Sequence, residues 1–313
     1  MIRPPRPGEE AAAQAVWEAS SAYDDPGGRQ RGGWSLSVWA SDWRVLALHG
    51  QPERLVGVAA VRAPDRNGAS RAADPGVVHA RVVLDPAHRK PTRAEALVET
   101  SVHLAREAHG ALVRQFIPSR GEWARAAVER AGFRQVRTIY HMRRPADAPP
   151  FEPRPTPGLK IRGIRPGEAP RVLEALNRAW AGTWAFLPIR LEQLEHDLAG
   201  QEQGMLLGVE AGNEDHIVAT VHAIFDPTDQ NPDGQPQAYI SNLTVDPDYR
   251  GRGYGRALLA AGLAHLKARG AGSITLGVDG GNATPLQLYR SAGFEVASSV
   301  DAWDLPLAEL PTR

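Results

Sequence analysis

A stretch rich in glycine and arginine, DYRGRGYGRALL at residues 248–259, has the composition of an anion-binding loop. Glycine lets the backbone approach a ligand closely, and successive N–H groups can then point at the same anion. A helix that starts at the end of such a loop adds about half a positive charge at its N-terminus. The stretch follows the strand-like segment AYISNLTV and continues into an apolar-striped helix. This context predicts a loop that binds a pyrophosphate.

Other glycine-rich motifs fit the loop less well. A Walker A loop would end in Lys-Ser or Lys-Thr, and a dinucleotide fingerprint would have a third glycine after Gly253 and Gly255. RNA-binding arginine-glycine tails are repeated and of low complexity, whereas this stretch occurs once. A glycine-rich turn that only starts a helix remains the structural alternative.

Composition limits the class of protein that carries this loop. With 313 residues the chain is long enough for two domains. The 36 basic and 36 acidic side chains give a net charge of +0, which favours neither nucleic acid nor an acidic membrane as a general partner. There is no cysteine, no secretory signal and no apolar run long enough to span a membrane. We therefore expect a soluble, cytoplasmic protein without nucleic-acid or membrane partners.

The proline-rich segment PADAPPFEPRPTPG, residues 145–158, divides the chain nearly in half, and the halves repeat. The matching segments are LDPAHR and VDPDYR from Leu84 and Val245, AGF from Ala131 and Ala292, and IRPPRPGEE and IRGIRPGEA from Ile2 and Ile161. These matches predict a duplicated α+β unit, with a mixed sheet flanked by helices. We expect an N-terminal domain at residues 1–144, a linker at 145–158 and a C-terminal domain at 159–313.

The loop region resembles the GNAT superfamily of acyl-CoA-dependent N-acetyltransferases. Residues 250–255, RGRGYG, match its Q/R-x-x-G-x-G/A signature and directly follow a strand that ends in LTVDP, residues 243–247. The resemblance implies two tandem GNAT-like acyl-CoA N-acyltransferase domains, and the duplication is similar to that of mycothiol-synthase-like members of the superfamily.

A second block of the same superfamily lies further along the chain. GNATPLQLYRSAGF, residues 281–294, is similar to N-x-x-A-x-x-L-Y-x-x-x-G-F, with departures at Gly281 and Pro285. Together the two blocks extend the resemblance over residues 159–305.

The resemblance also implies an acetyl-CoA site without a metal. It implies that Tyr289 protonates the departing thiolate and that the backbone amide of Leu243 bonds the thioester oxygen; a packing role for the Tyr289 ring is the alternative. The residues implied to bind acetyl-CoA are Leu243, Thr244, Val245, Arg250, Gly251, Arg252, Gly253, Tyr254, Gly255, Arg256, Asn282 and Tyr289.

The general base that would deprotonate the acceptor amine is left open. Its candidates lie on or beside predicted strands and are Glu210, His222, Asp226, Tyr239, Asp279 and Asp301. Trp180 and Trp184 could form an aromatic lid over an acceptor, although core packing is the alternative. The segment FEVASSVDAWDL predicts the last strand pair of the chain.

The first half lacks the chemistry-bearing residues of the second. Val128 lies opposite Tyr289, and Thr92 lies opposite Gly253 at an offset of 161 residues. Pro91 moreover removes an N–H donor from the equivalent loop. We expect that the first half keeps the fold, has lost acetyl transfer, and serves to pack against the second half and shape its substrate cleft.

The sequence therefore predicts an N-acetyltransferase that moves an acetyl group from acetyl-CoA to a primary amine of a small molecule or peptide, as a monomer or homodimer. Two other classes stay open at this point. One is a non-catalytic acyl-CoA-binding sensor, and the other is a nucleic-acid-binding module that uses the arginine-glycine loop.

Overall fold

The computed structural model describes residues 1–24, 43–50, 54–62, 76–231 and 233–307. In these ranges the helices are α1 (Glu10–Asp24), α2 (Pro91–Glu107), α3 (Glu122–Arg130), α4 (Ala169–Trp180), α5 (Leu191–Leu198), α6 (Tyr254–Ala268) and α7 (Ala283–Ser291). The strands are β1 (Ile2–Arg3), β2 (Trp43–His49), β3 (Leu55–Arg62), β4 (Val77–Leu84), β5 (Leu112–Pro118), β6 (Arg134–Pro145), β7 (Leu159–Gly163), β8 (Met205–Glu210), β9 (Asn213–Gln230), β10 (Pro236–Val245), β11 (Ser273–Asp279) and β12 (Glu295–Pro306). This mixture of helices with parallel and antiparallel strands confirms the predicted fold class.

The chain forms two compact units that are not continuous in sequence. The first contains Met1–Tyr140, Asp279–Gly281 and the chain from Ala297 onward. The second contains His141–Val278 and Asn282–Val296.

In the first unit the strand order is β1-β2-β3-β4-β5-β12. In this order β4 and β5 run parallel to each other, and the other four neighbouring pairs are antiparallel over their described residues. Its α2 lies against the strands, with Leu97, Val98 and Ala105 fully buried. Apolar residues at helical spacing on α2 thus contribute to the core of this unit, together with residues of the strands and of α3.

β12, the last strand of the described residues, joins the sheet of the first unit. β12 pairs antiparallel with β5 from Val300 opposite Pro118 to Pro306 opposite Leu112. The predicted strand pair at FEVASSVDAWDL is wrong, since this segment is a single strand. It contains no glycine, proline or asparagine that would form a hairpin turn, and β5 supplies a partner for a continuous strand.

In the second unit the strand order is β11-β10-β9-β8-β7. Here β10 and β11 are the parallel pair. Helix α6 lies against this sheet. A Cβ atom added at Gly208 of β8 would touch Leu258 of α6, and one added at Gly262 of α6 would touch Ile240 of β10 and Val221 of β9. Helices α4 and α5 form a separate apolar cluster with β8 and β9.

Two elements of the second unit were not anticipated from sequence. Helix α5 follows α4, and its buried Leu194 and Leu198 are four residues apart, which is one helical turn. Strand β9 continues to Gln230, into the polar segment DPTDQNPDGQPQ. Pairing of Pro236 with Gln230 on the neighbouring strand stabilises this extension.

The same contacts recur at equivalent positions of the two sequence halves. Arg3 bonds Glu9 at 2.8 Å between Nη2 and Oε1, and Arg162 bonds Glu168 at 2.7 Å between Nη1 and Oε2. In each case the main-chain N–H three residues before the glutamate donates to the same carboxylate. The repeated segments IRPPRPGEE and IRGIRPGEA therefore form the same local structure.

Candidate active site

The pairing of the parallel strands β10 and β11 ends before either strand does. Three successive residue pairs are in register. The first is Gln237 with Ser273, and the last is Tyr239 with Thr275. β10 nevertheless continues to Val245. Unpaired N–H and C=O groups on diverging strands are available to an extended ligand that lies between them.

A β-bulge lies in the separated part of β10. Ser241 pairs with His222 and Thr244 pairs with Thr220, so two residues of β10 face one residue of β9. Asn242 has a φ of 48°, in the left-handed region. The Thr220 hydroxyl donates to the Asn242 carbonyl at 2.8 Å. The bulge turns the main chain of Leu243 relative to a regular strand.

The predicted anion-binding loop connects the bulged strand to α6. The Asp246 carboxylate accepts a hydrogen bond from the Asp248 N–H at 2.9 Å and thereby holds the turn after β10. Gly251 and Gly253 have φ values of 79° and 82°, and α6 begins directly after Gly253. A Cβ atom on Gly251 would meet nothing within 4 Å, so the loop is open at this residue. Its glycines thus provide both the backbone shape and the space for a bound anion.

The loop carries three arginines, Arg250, Arg252 and Arg256. Among the described residues their guanidinium groups form no ion pair, and they donate chiefly to main-chain carbonyl oxygens. These oxygens belong to Ala179, Val245, Asp248 and Glu152. Three positive charges beside a helix N-terminus make the loop suited to an anion such as a diphosphate.

Tyr289 on α7 is buried, with 7% of its surface exposed. Burial raises the pKa of its hydroxyl to about 12, with a smaller effect from Tyr239. The phenol is therefore protonated at neutral pH, as a proton donor must be. Helix α7 lies beside the start of α6, because the Leu288 Cδ2 atom is 3.8 Å from the position of a Cβ on Gly255.

Asn282 and Tyr254 differ in exposure, since the first is exposed and the second is buried. Asn282 is exposed and precedes α7, yet its side chain makes no capping hydrogen bond, so the helix start does not engage it. Tyr254 is 4% exposed and its hydroxyl donates to the Pro157 carbonyl at 3.4 Å. The Tyr254 side chain is therefore packed within the protein.

Several candidates for the general base are already engaged within the protein. His222 is buried on β9, where its Nε2 lies 3.3 Å from the Gln201 carbonyl, and burial lowers its pKa. Asp226 accepts hydrogen bonds from the N–H and hydroxyl of Thr228. Asp279 accepts the Gly281 N–H at 2.8 Å.

Two further acids are held by hydrogen bonds. Asp301 belongs to the first unit, and its carboxylate accepts from Ser119, Gln135 and Thr138. Glu210 bonds His216 at 3.1 Å and Tyr249 at 3.2 Å, and these bonds lower its pKa. Tyr239, at the last paired residue of β10, is the candidate that borders the strand separation.

The indole of Trp180 packs against the α4 and α5 core, which favours packing over an acceptor lid. The described part of the chain contains no group of three histidine, aspartate or glutamate side chains arranged to hold a metal ion. None of the helices in the described ranges is both long and apolar enough to cross a membrane.

The proline-rich segment contributes contacts that sequence reasoning missed. The Arg256 guanidinium lies over the Phe151 ring, 4.0 Å from its centroid. The Thr156 Cγ2 atom is 3.5 Å from the position of a Cβ on Gly253. An aromatic residue inside a proline-rich linker was the only local signal for this packing. The proline-rich segment therefore packs against the glycine loop.

Comparison with known proteins agrees with this geometry. Residues 169–294 match the acetyltransferase (GNAT) family model. A mycothiol acetyltransferase of Cellulomonas flavigena is 31% identical over 279 residues, which are 82% of this chain and 75% of that protein. Another, of Thermomonospora curvata, is 32% identical over 285 residues, with coverage of 80% and 89%. The chain belongs to the GNAT acetyltransferase family.

Solved structures of other GNAT proteins share the fold. A GCN5-related N-acetyltransferase of Sphaerobacter thermophilus superimposes with a TM-score of 0.74 at 21% identity, over 97% of this chain and 95% of that one. A tandem GNAT protein of the clavulanic acid biosynthesis pathway gives 0.69 at 14% identity, over 100% and 99%. The predicted family and enzyme class are confirmed, and a non-catalytic sensor or a nucleic-acid-binding module is correspondingly disfavoured.

Proposed function

We propose that this GNAT enzyme transfers an acetyl group from acetyl-CoA to a primary amine of a small molecule, and that the second unit catalyses the transfer. The observation that carries the proposal is the junction of β10 with α6. A strand that is both separated from its neighbour and bulged leads within eight residues, from Val245 to Gly253, into an open glycine loop. One extended ligand with a diphosphate at one end fits both features.

The residues of this junction fit acetyl-CoA. The N–H groups of Gly251, Gly253, Gly255 and Arg256 are placed at or beside the start of α6, where they would hold the diphosphate together with the side chains of Arg250, Arg252 and Arg256. The main chain of Leu243, Thr244 and Val245 follows the bulge, where it would orient the thioester arm. Asn282 is exposed beside α7 and is free of a capping bond, which leaves its amide for the same arm.

The chemistry then requires two further groups. A neutral amine attacks the thioester carbonyl, and the Leu243 N–H would stabilise the oxyanion that develops there. Tyr289, protonated over the physiological pH range, would donate its proton to the departing thiolate. These roles require no metal. Among the base candidates, Tyr239 borders the strand separation and is the first to test.

The acceptor is proposed from the chain's relatives. Because these relatives are mycothiol acetyltransferases, amines related to mycothiol are the first compounds to test. We further propose that residues 1–144 are a degenerate GNAT-like repeat joined by the segment 145–158 to a catalytic repeat at 159–313. The recurring Arg3–Glu9 and Arg162–Glu168 contacts support a tandem duplication. The protein would act in the cytoplasm as a monomer or homodimer.

A panel of primary amines tested with acetyl-CoA, read by release of the free thiol of CoA, tests the proposal. We expect acetyl transfer to at least one small amine, and loss of transfer when Gly253 is replaced by valine, since φ at Gly253 is 82° and a β-branched residue is strained there. Absence of CoA binding by the purified wild-type protein, measured by calorimetry, would refute it.

A further inference from the structure

The two parallel strand pairs of the chain can be aligned by their registers. In the first unit β4 and β5 pair Val77 with Leu112 and continue to Ala80 with Gln115. In the second unit β10 and β11 pair Gln237 with Ser273 and stop at Tyr239 with Thr275. When Val77 is aligned with Gln237, the first paired residue of each strand, Ala80 corresponds to residue 240. The second pair of strands therefore separates one residue earlier than the first.

The alignment also places the bulge. LDPAHR and VDPDYR require that Leu84 correspond to Val245, whereas the strand registers require that Val77 correspond to Gln237. β10 thus contains one more residue than β4. The register of β3 with β4 runs without a shift from Gly57 to Arg62, whereas β10 is shifted between Ser241 and Thr244. The extra residue is the one at the bulge, and Arg81 corresponds to Ser241.

Arg81 occupies the point at which β4 and β5 stop pairing. It is the first residue after the last paired residue of β4, and its Nη1 donates to the Phe116 carbonyl on β5 at 2.7 Å. Its guanidinium carbon also lies 4.8 Å from the centroid of the Phe116 ring. A side chain therefore bridges the separated strands of the first unit with a hydrogen bond and a cation–π contact.

The corresponding residues of the second unit are small. Ser241 corresponds to Arg81, and Gly277 corresponds to Phe116 at the offset of 161 residues that relates β5 to β11. Gly277 is exposed, and a Cβ added there would have only ordinary contacts, 3.5 Å to the Tyr239 hydroxyl and 4.0 Å to His141 Cδ2. The fold does not need a glycine at this position, because its φ is not in the left-handed region.

We propose that Ser241 and Gly277 keep the strand separation of the second unit open for the acyl-pantetheine arm, and that Arg81 and Phe116 fill the same space in the first unit. This inference rests on the proposed function. It explains why acyl-CoA would bind to the second unit and not to the first by these four residues. None of them belongs to the family motifs. It also fixes the stoichiometry at one acyl-CoA per chain.

The test is calorimetric titration of the full chain with CoA, which gives stoichiometry and Kd without turnover. We expect one CoA per wild-type chain. Ser241→Arg, which introduces the residue found at the equivalent position of the first unit, should abolish binding. Ser241→Ala is the matched control and should bind one CoA with a Kd near the wild-type value. Circular dichroism and thermal melting establish that each variant is folded.

A second variant covers the case in which Ser241→Arg does not fold. Gly277→Ala adds one methyl group without a clash inside the protein, and we expect its Kd for CoA to rise about tenfold with no loss of thermal stability. Two CoA per wild-type chain would overturn the inference, as would folded Ser241→Arg or Gly277→Ala protein with a wild-type Kd. Wild-type protein that binds no CoA would instead overturn the proposed function, and this inference with it.

Discussion

Tyr289 meets Phe294 edge to face, with ring centroids 5.9 Å apart and planes inclined by 63°. This packing involves the rings and not the Tyr289 hydroxyl. Tyr289→Phe therefore separates proton donation from packing. We expect kcat to fall by about 10²-fold to 10⁴-fold if the hydroxyl is the general acid, with Kd for CoA and the melting temperature close to wild type. Steady-state kinetics and calorimetry measure these quantities.

A matched control for that experiment is Tyr23→Phe, which removes a phenol hydroxyl from a residue that is 68% exposed and lies outside the proposed site. Its kcat should equal that of wild type. Equal kcat for wild type and Tyr289→Phe would leave Tyr289 as a packing residue only.

The same tyrosine should affect stability at alkaline pH. Its pKa is raised from 10 to about 12 by burial, so the folded state favours the protonated phenol. The contribution of this protonated phenol to the free energy of unfolding is fully present below pH 10 and is lost as the pH rises through 12. Relative to Tyr289→Phe, wild type should lose about 2 to 3 kcal/mol of unfolding free energy over that interval. Urea denaturation at pH 9 and pH 12 measures the difference, and parallel behaviour of the two proteins would contradict it.

The bulge at Asn242 should be needed for catalysis because it turns the main chain that precedes the loop. Asn242→Gly can adopt the φ of 48° and should keep its activity. Asn242→Val cannot do so without a cost of about 1–2 kcal/mol, and we expect its kcat to fall by about 10²-fold as the Leu243 amide is misplaced. Comparable kcat values for the glycine and valine variants would show that the bulge has no role in the reaction.

The contact of Phe151 with Arg256 should strengthen cofactor binding. The ring lies 4.0 Å from the guanidinium carbon and restricts a side chain beside the loop. Phe151→Leu retains apolar volume without the aromatic face, and we expect the KM for acetyl-CoA to rise about threefold to tenfold while kcat is unchanged.

The linker also supplies the control for that experiment. Glu152 contacts Arg256 through its main-chain carbonyl, so Glu152→Ala should have no effect on KM. A double-mutant cycle with Arg256→Ala tests the coupling. Additive effects of Phe151→Leu and Arg256→Ala would disprove it.

Local signals accounted for much of what the sequence predicted. The loop before α6 and helix α6 itself lie where the glycines and the apolar periodicity indicated. These features are set by neighbours within a few residues, namely the left-handed φ accessible to Gly253 and the spacing of apolar residues on a helix face. Helix α5 and the extension of β9 were not predicted, because packing and strand pairing determine these two elements.

The sequence by itself determined the family, the repeated segments and the glycine loop, because short-range backbone preferences and residue spacing encode each of them. Tertiary structure alone decided that β12 pairs with β5, that Asn242 forms the bulge and that Arg81 lies across the strands of the first unit. Each depends on residues distant in sequence. The raised pKa of Tyr289 belongs with these, because desolvation depends on the residues that fold around a phenol.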